Sequence, residues 1–192
     1  MNKIFLGCIV AYSLTLANVA LADSQTVSAG YAQSKVQDYK NINGFNLQYR
    51  YEWDSPISLV SSFSYMSGSD SNSYHDYSGD FYKNNLDVKY YSLLVGPAYR
   101  LNPYISLYGV VGASYTKSDG SYEWYNSVGA DEDDGHSKGS LSKNSTEFAY
   151  GAGIIINPTD YLSVNVGYEG SKLELAGSHG VNGFNVGIGY KF

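Results

Sequence analysis

The chain has 192 residues, with 18 acidic against 12 basic side chains, a formal charge of −6 and a pI near 4.9. An acidic chain with no basic cluster excludes nucleic acid as a partner. Charged residues make up 16%, below the usual quarter, and Tyr and Gly stand at 21 each, which leaves the choice between a soluble and a membrane domain to the pattern along the chain.

The first segment, MNKIFLGCIVAYSLTLANVALA, combines one Lys, an apolar run from Ile4 to Ala17 and small residues at Ala20 and Ala22. It reads as a secretory signal peptide over 1–22, cleaved after Ala22, because the run is shorter than the ~20 residues a spanning helix needs. The single cysteine, Cys8, falls inside it, so 23–192 reads as one domain without a disulfide. No later apolar run is long enough for a membrane helix, and such a chain crosses a membrane only as strands.

Alternating segments of about ten residues follow. Residues 26–34 place Val27, Ala29 and Tyr31 opposite Ser28, Gly30 and Ala32. GFNLQYRYEW groups Phe45, Leu47, Tyr49, Tyr51 and Trp53 against Asn46, Gln48, Arg50 and Glu52. Residues 57–66 set Ile57, Leu59, Phe63 and Tyr65 against Ser58, Ser62 and Ser64, with Val60 out of pattern. From Tyr90 onward, Tyr91, Leu93, Val95, Pro97 and Tyr99 oppose Ser92, Gly96, Ala98 and Arg100. YISLYGVVGASYT is the least clear segment, since Tyr108 and Val110 make both faces partly apolar. Phe148, Tyr150, Ala152, Ile154 and Ile156 then face away from Glu147, Ala149, Gly151 and Gly153, and Leu162, Val164, Val166 and Tyr168 from Ser163, Asn165, Gly167 and Glu169. The eighth segment, GFNVGIGYKF, alternates in the same way.

DSP, LNP and NPTD between segments are tight turns. The other connections are a short loop near 37–43, long polar loops near 67–86 and 118–143, and a last loop near 176–182. The expected fold is an all-β, eight-stranded antiparallel transmembrane barrel with short periplasmic turns and long extracellular loops. A soluble lipocalin-type barrel alternates identically but points its apolar face inward. Three features favour the membrane form: aromatics at the segment ends, an opposite face of Ser, Gly, Asn and opposed charges, and the closing aromatic Phe192.

The stretches GFNLQYRYE, GPAYRLN, YGVVGASY, YGAGIIINP and GIGYKF resemble the Ail/OmpX/Lom family of enterobacterial outer-membrane proteins, over essentially the whole of 23–192 outside its loops. Gln48 stands where that family usually has Lys. The resemblance implies an outer-membrane location in a Gram-negative bacterium with loops facing outward. It also implies adhesion to and invasion of host cells, binding of matrix proteins, and serum resistance through capture of complement regulators. Basic residues help adhesive relatives bind anionic partners, whereas the third loop here carries Asp131, Glu132, Asp133 and Asp134, which repel heparin-like ligands. The resemblance further implies that the barrel-assembly machinery reads the last strand, through Phe184, Val186, Ile188, Tyr190 and Phe192.

Eight strands leave an interior filled by side chains, so Arg50, Arg100 and Lys191 are expected to pair inside with Glu52, Glu147 and Glu169 rather than to line a selectivity filter. The histidines His75, His136 and His179 have no Ser and acidic partners at catalytic spacing, and the acidic run lacks EF-hand spacing. The chain therefore reads as a non-enzyme without cofactor or metal. Candidate partner-binding residues lie in the second and third loops: Tyr74, His75, Tyr77, Phe81 and Tyr82, then Tyr122, Trp124 and Tyr125. The alternative is that these aromatics pair across strands protruding beyond the membrane, whose edge could recruit a partner strand. Lys35, Lys117, Lys143 and Lys172 are candidate contacts to lipopolysaccharide phosphates. A structural or stress-related envelope barrel without a host ligand is the second functional reading, ahead of an outer-membrane enzyme or a narrow pore.

Overall fold

A computed structural model describes residues 24–37, 40–77, 79–126, 135–174 and 178–192. The signal peptide expected over 1–22 and the acidic run at 131–134 lie outside the described residues. The strands are β1 (Ser24–Val36), β2 (Asn41–Glu52), β3 (Ile57–His75), β4 (Phe81–Asn102), β5 (Ile105–Tyr125), β6 (His136–Ile156), β7 (Leu162–Glu174) and β8 (Ser178–Lys191). Each pairs antiparallel with its sequence neighbour, and β8 returns to β1, from Thr26↔Lys191 to Val36↔Val181, closing the ring. Beyond the last ladder pair, Gln25 and Phe192 exchange two backbone hydrogen bonds of 2.8 Å.

Three short turns gather at one end, each tied by a side chain that the sequence placed there. Asn102 Oδ1 accepts from the amides of Tyr104 and Ile105 at 2.9 Å, Thr159 Oγ1 from Leu162 at 3.1 Å, and Ser55 Oγ from Ile57 at 3.2 Å. These Asn, Thr and Ser turns close on their own side chains, and the amides of Arg100, Asn157 and Lys191 add bonds to the carbonyls of Pro56, Tyr104 and Tyr161.

The exposure pattern is inside out. Leu93, Phe148 and Ile188 keep 62–65% of their surface outward, whereas Ser64 and Asn46 are sealed inside at 0 and 1%. A soluble barrel would reverse this, because apolar groups gain by leaving water and polar groups lose. Rings crowd the borders of the apolar band. Phe45, Tyr65, Tyr91 and Tyr115 form a run across β2 to β5 with centroid spacings of 5.7, 5.0 and 6.3 Å. At the turn end, Tyr161, Tyr190 and Phe192 stack at 6.3 and 6.2 Å. Amphipathic rings at both water interfaces are the girdles of an outer-membrane barrel.

Two expectations need correcting. The lumen is not uniformly polar: Val60, Leu94, Ala98, Tyr108, Val110, Ala149 and Ile155 form one buried apolar cluster, and Ala32, Val36, Ile42, Met66, Val88, Tyr90, Leu173 and Val181 another. Val60, out of pattern in the sequence, is thus a lumen residue in phase with its strand. The long loops are also mostly strand. β3 and β4 stay paired to His75↔Phe81, and β5 and β6 to Tyr125↔His136. A segment such as Ser69 to Ser73 is wet on both faces, so strand formation there leaves no apolar alternation to read. Outside the membrane, β3 to β6 therefore continue as a protruding four-stranded sheet.

Candidate functional surfaces

The protruding sheet determines where the aromatic candidates stand. Side chains alternate between its faces, and register places His75, Phe81, Tyr125 and His136 in one row on the face continuous with the lipid-exposed surface. Their rings lie 5.0, 6.0 and 4.3 Å apart, the last pair stacked. One residue inward, on the face continuous with the lumen, Tyr74 stacks on Tyr82 at 5.1 Å, and Trp124 is in register with Tyr82. Seven of the eight candidates thus sit on strands, and only Tyr77 lies in the connecting turn. Of the two readings, the structure has the aromatics paired across protruding strands: backbone pairing, not loop conformation, positions these rings. His136 and Lys138, which are not among the candidate binding residues, belong to the same sheet face. His136 joins the row only because β6 starts eleven residues after β5 ends, a spacing no local motif announces.

The β3–β4 turn is clipped shut. Asp76 N bonds Asp80 O at 3.0 Å, Asp80 N bonds Asp76 Oδ1 at 3.1 Å, and Gly79 N bonds Asp76 O at 3.1 Å, with Gly79 at φ 87°, where a Cβ is disfavoured. Trp124 Nε1 donates to Asp80 Oδ2 at 2.9 Å, fastening the second hairpin to the tip of the first. Desolvation by its neighbours, with Asp76 and Asp80 nearby, raises the Tyr82 phenol above its ordinary value. A cavity of about 490 Å³ on the outer face runs between Ser71, Ser73, Phe81, Lys83, Glu123 and Tyr125. Aromatic floor and charged walls in one concavity suit a mixed polar and apolar partner surface.

The lysines divide by face. Lys35, Lys117 and Lys172 have the parity of the lipid-facing residues, and Lys117 lies beside Lys89 in the ladder, directly beyond the Tyr91 and Tyr115 pair. Lys143 is in register with the buried Ser118 and has lumen parity. Lys89 falls between the loop near 67–86 and the alternating segment that begins at Tyr90, where no sequence pattern assigns it a face. Lys117 is bridged to Asp119 at 3.2 Å and Lys40 to Asp70 at 2.5 Å. Asp119 also accepts from Ser142 Oγ at 2.6 Å, and this bond, followed by those from Lys117, holds its carboxyl below the usual range.

Inside the lumen, the six charges do not form one network. Arg50, Arg100 and Lys191 all converge on Glu52. Arg50 Nη2 lies 3.0 Å and Arg100 Nη2 3.3 Å from Oε1, while Lys191 Nζ lies 3.0 Å from Oε2 as an ion pair without hydrogen-bond alignment. Ser58 and Ser106 accept the other Arg50 bonds at 2.9 Å. Glu169 sits apart, accepting from Tyr90 at 2.7 Å and Ser64 at 2.9 Å, and Glu147 accepts from Ser145 at 2.7 Å. Pairing by charge count cannot foresee this, because strand register decides which carboxylate is shared. Phe184, Val186, Ile188 and Tyr190 of β8, and Phe192 just beyond it, all face outward.

Comparison with known proteins places this geometry. The model of the family described as "Enterobacterial Ail/Lom protein" matches residues 3–192. The virulence membrane protein PagC of Salmonella typhimurium is 43% identical over 192 residues, covering 100% of this chain and 99% of that protein. Outer membrane protein X of Escherichia coli K12 is 37% identical, with 100% of each chain covered. The crystal structure of Ail, the attachment invasion locus protein of Yersinia pestis, superposes with a TM-score of 0.64 at 31% identity, over 90% of this chain and 100% of that one. The same protein in complex with the heparin analogue sucrose octasulfate gives 0.62 at 33%, with the same shares covered.

Proposed function

Because the chain belongs to the Ail/Lom family of enterobacterial outer-membrane virulence and adhesion proteins, we propose that it is a non-enzymatic surface barrel whose protruding sheet attaches the bacterium to host cells or matrix and captures complement regulators. One observation carries the reading: two aromatic rows at the tip of the sheet, one on each face, held by strand pairing and by the bond from Trp124 to Asp80. Tyr and Trp supply large contact area at modest entropic cost, and pre-ordering the backbone lowers that cost further.

A protein partner fits better than a sulfated polysaccharide. The Yersinia pestis relative was solved with a heparin analogue, but here Lys40 is already engaged by Asp70, and the sequence adds Asp131, Glu132, Asp133 and Asp134. Lys35, Lys117 and Lys172, with Lys89, take the separate role of holding lipopolysaccharide phosphates at the outer rim. The outward face of β8, from Phe184 to Phe192, is the surface offered to the barrel-assembly machinery.

The test is expression of the intact chain in a non-adherent, serum-sensitive bacterium, beside a variant with Tyr74, Phe81, Tyr82, Trp124 and Tyr125 changed to Ser. Wild type is expected to confer adhesion and serum survival, and the variant to lose them at equal surface density. Equal scores for wild type and empty vector would replace the adhesin reading with that of a structural envelope barrel.

A further inference from the structure

Beneath the turn end of the barrel, the Glu52 cluster opens into a cavity of about 310 Å³ lined by Arg50, Glu52, Arg100, Ser106, Asn157 and Lys191. Three cations meet one carboxylate here. Arg50 is sealed at 2% exposure and Glu52 at 3%, and Asp160 contributes a further acid only from the exposed rim. Glu52 answers the buried Arg50, while Arg100 at 38% and Lys191 at 23% exposure share that same carboxylate and leave positive charge at the open mouth of the cavity.

Asn157 gives an independent sign. It is 8% exposed, it lines the same cavity, and its Oδ1 meets no hydrogen-bond donor among the described residues. Its Nδ2 brings two further N–H donors to the lining. Two guanidinium forks, an ammonium and an amide are a donor set for an oxyanion. At about 30 Å³ per water, the cavity has room for a tetrahedral ion and several waters.

We propose that the periplasmic mouth of this barrel is a binding site for a small oxyanion of the phosphate type, held by Arg50, Arg100, Lys191 and Asn157 around Glu52. The ligand comes from the periplasmic side, either as free phosphate or as the phosphodiester of an inner-leaflet headgroup. The site is separate from the protruding sheet and independent of what that sheet binds.

The experiment uses the full barrel, ¹⁵N-labelled and folded in maltoside micelles, which contain no phosphate. Inorganic phosphate is titrated at constant ionic strength, and in a parallel arm short-chain phosphatidylglycerol, while the side-chain N–H signals of Arg50, Arg100 and Asn157 are followed. The expected result is a saturable shift confined to these groups, weakened about tenfold in Arg100→Gln and in Lys191→Gln, roughly the worth of one charge-assisted hydrogen bond. Both replaced side chains reach water, and heat-modifiable gel mobility reports whether each variant has folded; if one has not, the wild-type titration and the other variant decide. Saturation by phosphate assigns the free ion, and saturation by the lipid alone assigns the headgroup. Shifts that never saturate in either arm, or that persist unchanged in both variants, overturn the site.

Discussion

Replacing Glu52 by Gln removes the carboxylate on which three lumen cations converge, while leaving the side chain nearly the same size. Of those cations, Arg100 at 38% and Lys191 at 23% exposure can be screened by water, so their loss of a partner is largely discounted. Arg50, at 2%, cannot reach water without disturbing Ser58 and Ser106, which hold it. Breaking a buried pair by removing one partner costs 3 to 5 kcal/mol, and with one stranded cation rather than three the lower end applies, about 3 kcal/mol. That is roughly a hundredfold in the folding equilibrium constant. Urea titration of the barrel refolded into lipid vesicles, in phosphate-free buffer and followed by the fluorescence of Trp53 and Trp124, measures it. The double variant Arg50→Met, Glu52→Leu should recover most of the loss, because apolar replacement of a whole buried pair is often neutral. A Glu52→Gln barrel within about 0.5 kcal/mol of wild type, the range of an ordinary surface change, would refute the reasoning.

Other outcomes follow from the same structure. Gly167 and Gly153 leave the space that the Tyr108 ring fills across the lumen, and a Cβ at Gly167 would collide with the Tyr108 hydroxyl and crowd Asn185. Gly167→Ala should therefore cost about 1 to 3 kcal/mol of overpacking, read from the same urea titration, and a neutral result would mean that Tyr108 has another place to go. Changing Lys35, Lys117 and Lys172 together to Gln should weaken binding to lipopolysaccharide vesicles, whereas Lys143→Gln should not; equal effects would remove the distinction between faces. Asp119, depressed by Ser142 and then Lys117, contributes stability to the β5–β6 hairpin that is present at neutral pH and lost as pH falls through its lowered pKa. Its carboxyl carbon should titrate below a reference Asp, and Ser142→Ala should raise the midpoint; an ordinary midpoint in wild type would contradict the bond.

Within the bilayer, sequence and structure agree strand by strand because lipid imposes the contrast that alternation reports: Leu47 out, Gln48 in, Tyr49 out, Arg50 in. Beyond the girdle the contrast vanishes. Ser69 and Asp70, or Tyr122 and Glu123, face water whichever way they point, so the sequence leaves loop and protruding strand both open although the backbones pair as regularly as those below. The lumen was half legible. Serines and asparagines mark it, but Val60, Tyr108 and Val110 break the alternation, since an apolar residue satisfies either a membrane or a packed interior. The convergence on Glu52 needs the closure of β8 on β1, which sets Lys191 beside Thr26 and so within reach of Glu52 on β2.

The length of the protruding strands sets a reach. From Tyr65 in the outer girdle to His75 at the tip, β3 advances ten residues, about 33 Å along the strand. With the tilt of about 40° usual for such strands, the aromatic rows stand roughly 25 Å above the lipid surface. Any sugar coat taller than this mast would close over the tip and put it out of a host protein's range. A tip that attaches as proposed would then work on a thinly coated cell and be silent on a thickly coated one, with no change in the barrel's own structure.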